Sequence, residues 1–133
     1  GVIPGSHKKR MFDQYDANNN WTGCLSDEDL KDVALSEAVY LKGPIGSVTV
    51  HHCRMIHGSK YNNHSSKSRP LLLNALSSAD SLPITPNPTP SLYNGTIIRG
   101  EAPAYAQYEL YTGRLPPDWS NGYSSIFALQ QKE

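Results

Sequence analysis

The feature that most constrains this chain is the run Ser47-Val-Thr-Val-His-His-Cys-Arg-Met-Ile56, whose residue types suit an extended segment. Side chains of such a segment point to opposite faces in turn. Val48, Val50, His52, Arg54 and Ile56 therefore share one face, and Thr49, His51, Cys53, Met55 and His57 share the other. That pattern predicts a strand. Gly58 permits a sharp turn at its end, and residues 60–68 hold too many turn formers and charges to continue a buried strand. Pairing is expected to resume at Arg69, because Pro70-Leu-Leu-Leu-Asn-Ala75 reads as a mostly buried strand with its proline near the start. His51 and His52 must face opposite ways on the first strand, and His51 alone of the two lies with His57.

The surrounding segments extend the same pattern. Val2 and Ile3 are strand-like, and Pro4-Gly5-Ser6 reads as a turn. Ser26 before Asp27, Glu28 and Asp29 has the form of an N-cap with acidic residues in the first turn, which predicts a helix of two turns. Residues 38–42 and 47–56 read as extended runs joined tightly through Gly43 and Gly46, and with residues 69–77 they make a mostly antiparallel β unit. Pro83, Pro86, Pro88 and Pro90 prevent ladder or helix from persisting over residues 82–92, so an ordered surface arm is expected there. Residues 96–98 read as one more strand. Tyr105, Tyr108 and Tyr111 then recur at helical spacing and are expected to pack on the body, ahead of Pro116, Pro117 and Trp119.

Composition narrows the classes. A chain of 133 residues can bury one core, while 38% hydrophobic residues and ten prolines leave much of it irregular. Twelve basic side chains balance twelve acidic ones, which argues against a nucleic-acid surface. No apolar run approaches the roughly 20 residues of a membrane span, and no signal peptide is recognisable, so a cytoplasmic setting is expected. Cys24 and Cys53 are too few for a disulfide framework or a zinc site, and Cys53 is expected to be a small buried hydrophobe. Lys8, Lys9 and Arg10 read as a solvated basic turn, and Asn62 and Asn63 as residues that shape the loop after His57.

Three segments in order, Val2-Ile-Pro-Gly-Ser-His7, His52-Cys-Arg-Met-Ile-His-Gly-Ser59 with Asn62 or Asn63 following, and Arg69-Pro-Leu-Leu-Leu73, resemble the phytanoyl-CoA dioxygenase family of Fe(II)/2-oxoglutarate-dependent oxygenases. Thr85-Pro-Asn-Pro-Thr-Pro90 and Gly95-Thr-Ile-Ile-Arg-Gly100 are similar to the tail of some bacterial members. The resemblance implies a mainly β fold, a partial jelly-roll (double-stranded β-helix, cupin-like) with a short helix and an irregular C-terminal arm. It also implies a 2-His-1-carboxylate facial triad that leaves positions open for 2-oxoglutarate and dioxygen. In such proteins an H-x-D motif supplies the first histidine and the carboxylate, and the HGS segment supplies the second histidine. His57 matches that second ligand. Arg69 matches the arginine that pairs with the distal carboxylate of 2-oxoglutarate, a contact its planar fork suits.

No His-x-Asp or His-x-Glu occurs in the chain. In the family that motif precedes the segment matched by residues 2–7. Residues 1–133 are therefore expected to be a single domain, the C-terminal part of a larger jelly-roll oxygenase domain. Alone, the chain is expected to be inactive and to hold neither Fe(II) nor 2-oxoglutarate tightly. The intact enzyme would hydroxylate a small organic substrate. A homodimer is expected, because half a jelly-roll exposes strand edges and an apolar face. Two other readings stay open: a non-catalytic β-sandwich binding or assembly module, and a cupin-like protein with a different metal site built from His51, His57 and residues on other strands.

Overall fold

Residues 1–3 run between two other segments, and this three-way pairing is the centre of the fold. A computed structural model describes residues 1–85, 87, 91–110 and 112–118. Val2 forms antiparallel bridges with Val39 on one side and His57 on the other. Its amide donates to the Val39 carbonyl at 2.9 Å, and the Val39 amide returns the bond at 2.9 Å. Across the second seam the Ile3 amide donates to the Ile56 carbonyl at 2.9 Å and the Gly58 amide to the Gly1 carbonyl at 3.0 Å. Gly5 then takes a positive φ of 78°, open to glycine without strain, and the chain closes into a 3-10 turn at Ser6–Lys8. Ile3, Val33 and Ser6 are the buried residues around which these segments meet.

Among the described residues one α-helix, α1, spans Asp27–Leu30. It starts where a local cap is available, since the Ser26 hydroxyl accepts from the Asp29 amide at 3.1 Å and donates to its carboxylate at 2.7 Å. The following turn tightens to i,i+3 bonds, with the Val33 amide donating to the Leu30 carbonyl at 3.1 Å, and a 3-10 turn follows at Leu35–Glu37. Ahead of α1, residues 14–22 form a hairpin-like loop: Tyr15 bridges Trp21, and the Thr22 amide donates to the Gln14 carbonyl at 2.9 Å.

The expected mainly β jelly-roll is not what forms. Among the described residues there is no β-ladder beyond isolated bridges, at Val2–Val39, Val2–His57 and Tyr15–Trp21. The run 47–56 fails as a strand for a local reason. The Met55 amide donates to the His52 carbonyl at 2.9 Å, and the Arg54 amide donates to Nδ1 of the His52 ring at 3.1 Å, so the backbone turns at residues 52–55. A histidine ring here does what an Asx side chain does in a turn. Alternation also needs a partner segment before it becomes a ladder. Val48 and Val50 face solvent instead, as do Leu71, Leu72 and Leu73 in the second expected strand. Thr96 donates its amide to the Tyr93 carbonyl in a turn, which displaces the strand expected at residues 96–98. Cys53, on the turn, is exposed and not a buried hydrophobe.

The C-terminal segment crosses the body as an irregular strap. The Gln107 amide donates to the Asp80 carbonyl at 2.9 Å, Glu109 pairs with Arg54 at 3.4 Å, and the Tyr15 hydroxyl donates to the Leu115 carbonyl at 3.0 Å. The Arg114 guanidinium sits 3.4 Å from the centroid of the Tyr15 ring. Tyr105 and Tyr108 are exposed and lie outside any helix, so it is charge and backbone contacts that hold this segment. Pro86, Pro88, Pro90, Tyr111 and Trp119 lie outside the described residues. Among the described residues no helix is long and apolar enough to cross a membrane.

Candidate functional site

His57 is reached from the backbone upward. Its own residue pairs with Val2, Gly58 after it pairs with Gly1, and Ile56 before it is held by Ile3, so the position is fixed on three consecutive residues. The ring is exposed, and its Nδ1 lies 2.8 Å from the Met55 carbonyl. A carbonyl can only accept, so Nδ1 carries the hydrogen and the neutral ring keeps a lone pair on Nε2.

The same logic assigns the opposite tautomer to two other histidines. Nδ1 of His52 accepts from the Arg54 amide at 3.1 Å, and Nδ1 of His64 accepts from the Ser66 amide at 3.3 Å. Each of these neutral rings therefore carries its hydrogen on Nε2. His57 differs from both in presenting a bare Nε2. A metal-ligating histidine ordinarily donates its other ring N–H to a carbonyl or carboxylate, which fixes both tautomer and ring orientation. The donor chemistry of His57 fits that role.

His51 lies close by, with its ring centroid 5.1 Å from that of His57. His52 turns the other way and faces His7 at 5.5 Å; Nδ1 of His7 is buried without a hydrogen-bond partner. The division of His51 and His52 thus follows the expected one although the strand is broken. Two rings do not complete a site: among the described residues no group of three or more His, Cys, Asp and Glu could hold a metal ion. The reading of a different metal site on His51 and His57 lacks a third donor there.

Arg69 stands at the far end of the loop that begins after Gly58. Its guanidinium donates to the Lys60 carbonyl at 3.4 Å, and among the described residues no carboxylate pairs with it. Between them the loop is organised by Asn62, whose side chain donates to the Lys67 carbonyl at 2.8 Å and accepts from the His64 amide at 3.2 Å. Asn62 is therefore the asparagine that shapes the loop. The basic turn is divided: Arg10 bridges Asp29 and Asp32 at 3.0 Å each and stacks over Phe12, whereas Lys8 and Lys9 remain exposed.

Two residues beside His57 were not legible as site residues. Arg54 donates to the Lys9 carbonyl at 3.1 Å as well as pairing with Glu109, tying the turn before His57 to two distant segments. Ser6 is buried at 2% exposure and contacts both Met55 and Ile56. Neither spacing nor residue type marks such long-range bonds. The available signal was the turn read at residues 4–6.

Residues 1–71 match the phytanoyl-CoA dioxygenase (PhyH) family. A protein of Stutzerimonas stutzeri described as a "probable alpha-ketoglutarate-dependent hypophosphite dioxygenase" is 31% identical over 113 residues, which covers 77% of this chain and 36% of that protein. The chain thus spans about a third of the length of this curated relative. No solved structure matches.

Proposed function

This chain belongs to the phytanoyl-CoA dioxygenase family, and from that premise we propose that it supplies one part of the site of an Fe(II)- and 2-oxoglutarate-dependent dioxygenase. The observation that carries the reading is the bare Nε2 of His57, held outward by the Nδ1 bond to the Met55 carbonyl. Bound iron would activate dioxygen and couple decarboxylation of 2-oxoglutarate to oxidation of the substrate. In this reading His57 contributes one ligand nitrogen, and Arg69 binds the distal carboxylate of 2-oxoglutarate through its two-pronged guanidinium. The other histidine and the carboxylate come from an H-x-D segment outside residues 1–133, since none occurs within them. Residues 1–133 then form the C-terminal part of a larger oxygenase domain, inactive alone. The relative's name specifies hypophosphite for that protein. For this chain the proposal extends to a small-molecule substrate.

The test uses the complete polypeptide that contains the H-x-D pair. His57→Ala should abolish 2-oxoglutarate decarboxylation. Arg69→Lys should leave kcat largely intact and raise the KM for 2-oxoglutarate by roughly ten- to a hundredfold, the worth of a lost charged bidentate contact. Wild-type turnover in the His57→Ala enzyme would refute the ligand assignment.

A further inference from the structure

The peptide group between Met55 and Ile56 is engaged at both ends. Its N–H, on Ile56, donates to the Ser6 hydroxyl at 2.8 Å. Its C=O, on Met55, accepts from Nδ1 of His57 at 2.8 Å. A peptide is planar and trans, so its N–H and C=O point in opposite directions and cannot be aimed independently. Fixing one fixes the other. Ser6 is itself held: it is 2% exposed, its amide donates to the Ile3 carbonyl at 3.2 Å, and its hydroxyl hydrogen is directed to the Met55 sulfur at 3.3 Å. With that hydrogen on the sulfur, a lone pair of the hydroxyl oxygen is left facing the Ile56 amide.

We propose that Ser6 is a positioning residue for His57: its hydroxyl aims the 55–56 peptide so that the Met55 carbonyl selects the Nδ1–H tautomer and leaves the Nε2 lone pair outward. The chain of bonds from Ser6 through the peptide to the imidazole also polarises in one direction, which strengthens the last bond. Loss of the hydroxyl leaves the part-buried Ile56 N–H without its protein partner, and the peptide rotates to find one. The carbonyl then swings away from His57, and the ring is free to take either tautomer. The tautomer is a property of this chain alone; its catalytic meaning rests on the reading of His57 as an iron ligand.

The experiment is long-range 1H–15N spectroscopy of the histidine rings in the 133-residue chain, at mildly alkaline pH, for wild type, Ser6→Ala, Ser6→Cys and Ser6→Thr. Cysteine preserves the volume with a poor acceptor, and threonine preserves the hydroxyl. His52 is the internal control, because its tautomer depends on the Arg54 amide and not on Ser6. Wild type and Ser6→Thr should show His57 with hydrogen on Nδ1. Ser6→Ala and Ser6→Cys should lower the ratio of the Nδ1–H to the Nε2–H form about fivefold, the effect of one ordinary hydrogen bond, with His52 unchanged. An unchanged His57 tautomer in Ser6→Cys would overturn the proposal. So would joint loss of the His52 and His57 signatures in Ser6→Ala and Ser6→Cys, which would reduce Ser6 to a core residue. If instead the tautomer shifts as expected while His57→Ala leaves the complete enzyme active, the positioning role stands and the ligand reading falls.

Discussion

The carboxylate of Asp16 accepts from the amides of Asn20 at 2.7 Å and Asn18 at 2.9 Å, and from the Asn20 side chain at 3.1 Å. These bonds favour the ionised form, the Asn20 amide most strongly, and hold the Asp16 carboxyl below its ordinary value of 3.8. The folded value is the lower of the two. The contribution of Asp16 to the 14–22 loop is therefore complete above the ordinary carboxylate value and is lost as pH falls through the lowered one. The Asn20 amide resonance should titrate with a midpoint below 3.8. A midpoint at or above that value would contradict the bonding described. In Asp16→Asn the transition should disappear. Histidines follow a related rule in this chain: a neighbouring backbone group, donor or acceptor, decides which ring nitrogen is bare, as His52 and His57 show from opposite sides.

Among the elements, α1 depends on its cap more than on burial, since none of its residues is buried. Ser26→Ala should cost about 1 kcal/mol of local stability. Amide exchange at Asp29 should accelerate roughly fivefold, while Ser26→Asp should retain most of the protection; equal exchange in wild type and Ser26→Ala would remove the cap from the account. The start of this helix is legible in sequence because a cap and an acidic first turn are local features, whereas its length is not: Asp27–Leu30 is one turn where two are expected. The strand expected at residues 47–56 fails for the complementary reason. Its alternation is genuine, but the His52 ring supplies a turn acceptor, and Val48 and Val50 find no facing segment. For the candidate site the sequence singles out His57 and Arg69, through their motifs alone. Ser6 and Arg54 are not singled out, because their bonds reach 50 residues to Ile56 and 55 residues to Glu109.

At the scale of the whole molecule, apolar surface is left open. Val50 is 92% exposed, Leu72 is 88% exposed, and Leu71, Leu73 and Leu76 are exposed beside it. Apolar side chains exposed in this number favour self-association, and two-fold pairing is the commonest way for identical chains to cover them. Sedimentation velocity should show a coefficient that rises with concentration; a stable monomer at high micromolar concentration would contradict this. The donor inventory leads to a second expectation. With His57 as the one ligand matched and no three-residue cluster among the described residues, dialysed chain should retain well under one Fe(II) per molecule. Elemental analysis after anaerobic titration measures this, and retention of one iron per chain would bring the His51 and His57 pair forward as a site in its own right.

The pairing of Val2 with His57 also has a consequence in time. A ribosome adds about 5 to 20 residues each second, so Val2 waits roughly 3 to 11 seconds for His57 to be made. Throughout that interval Val2 and Ile3 lack their partners on this one side, and the turn that later carries His57 does not exist. Assembly of the candidate site is thus tied to the order of synthesis. A slow codon run shortly before His57 would lengthen the period in which a chaperone, or another nascent copy, can take the place of residues 56–58 beside Val2 and Ile3.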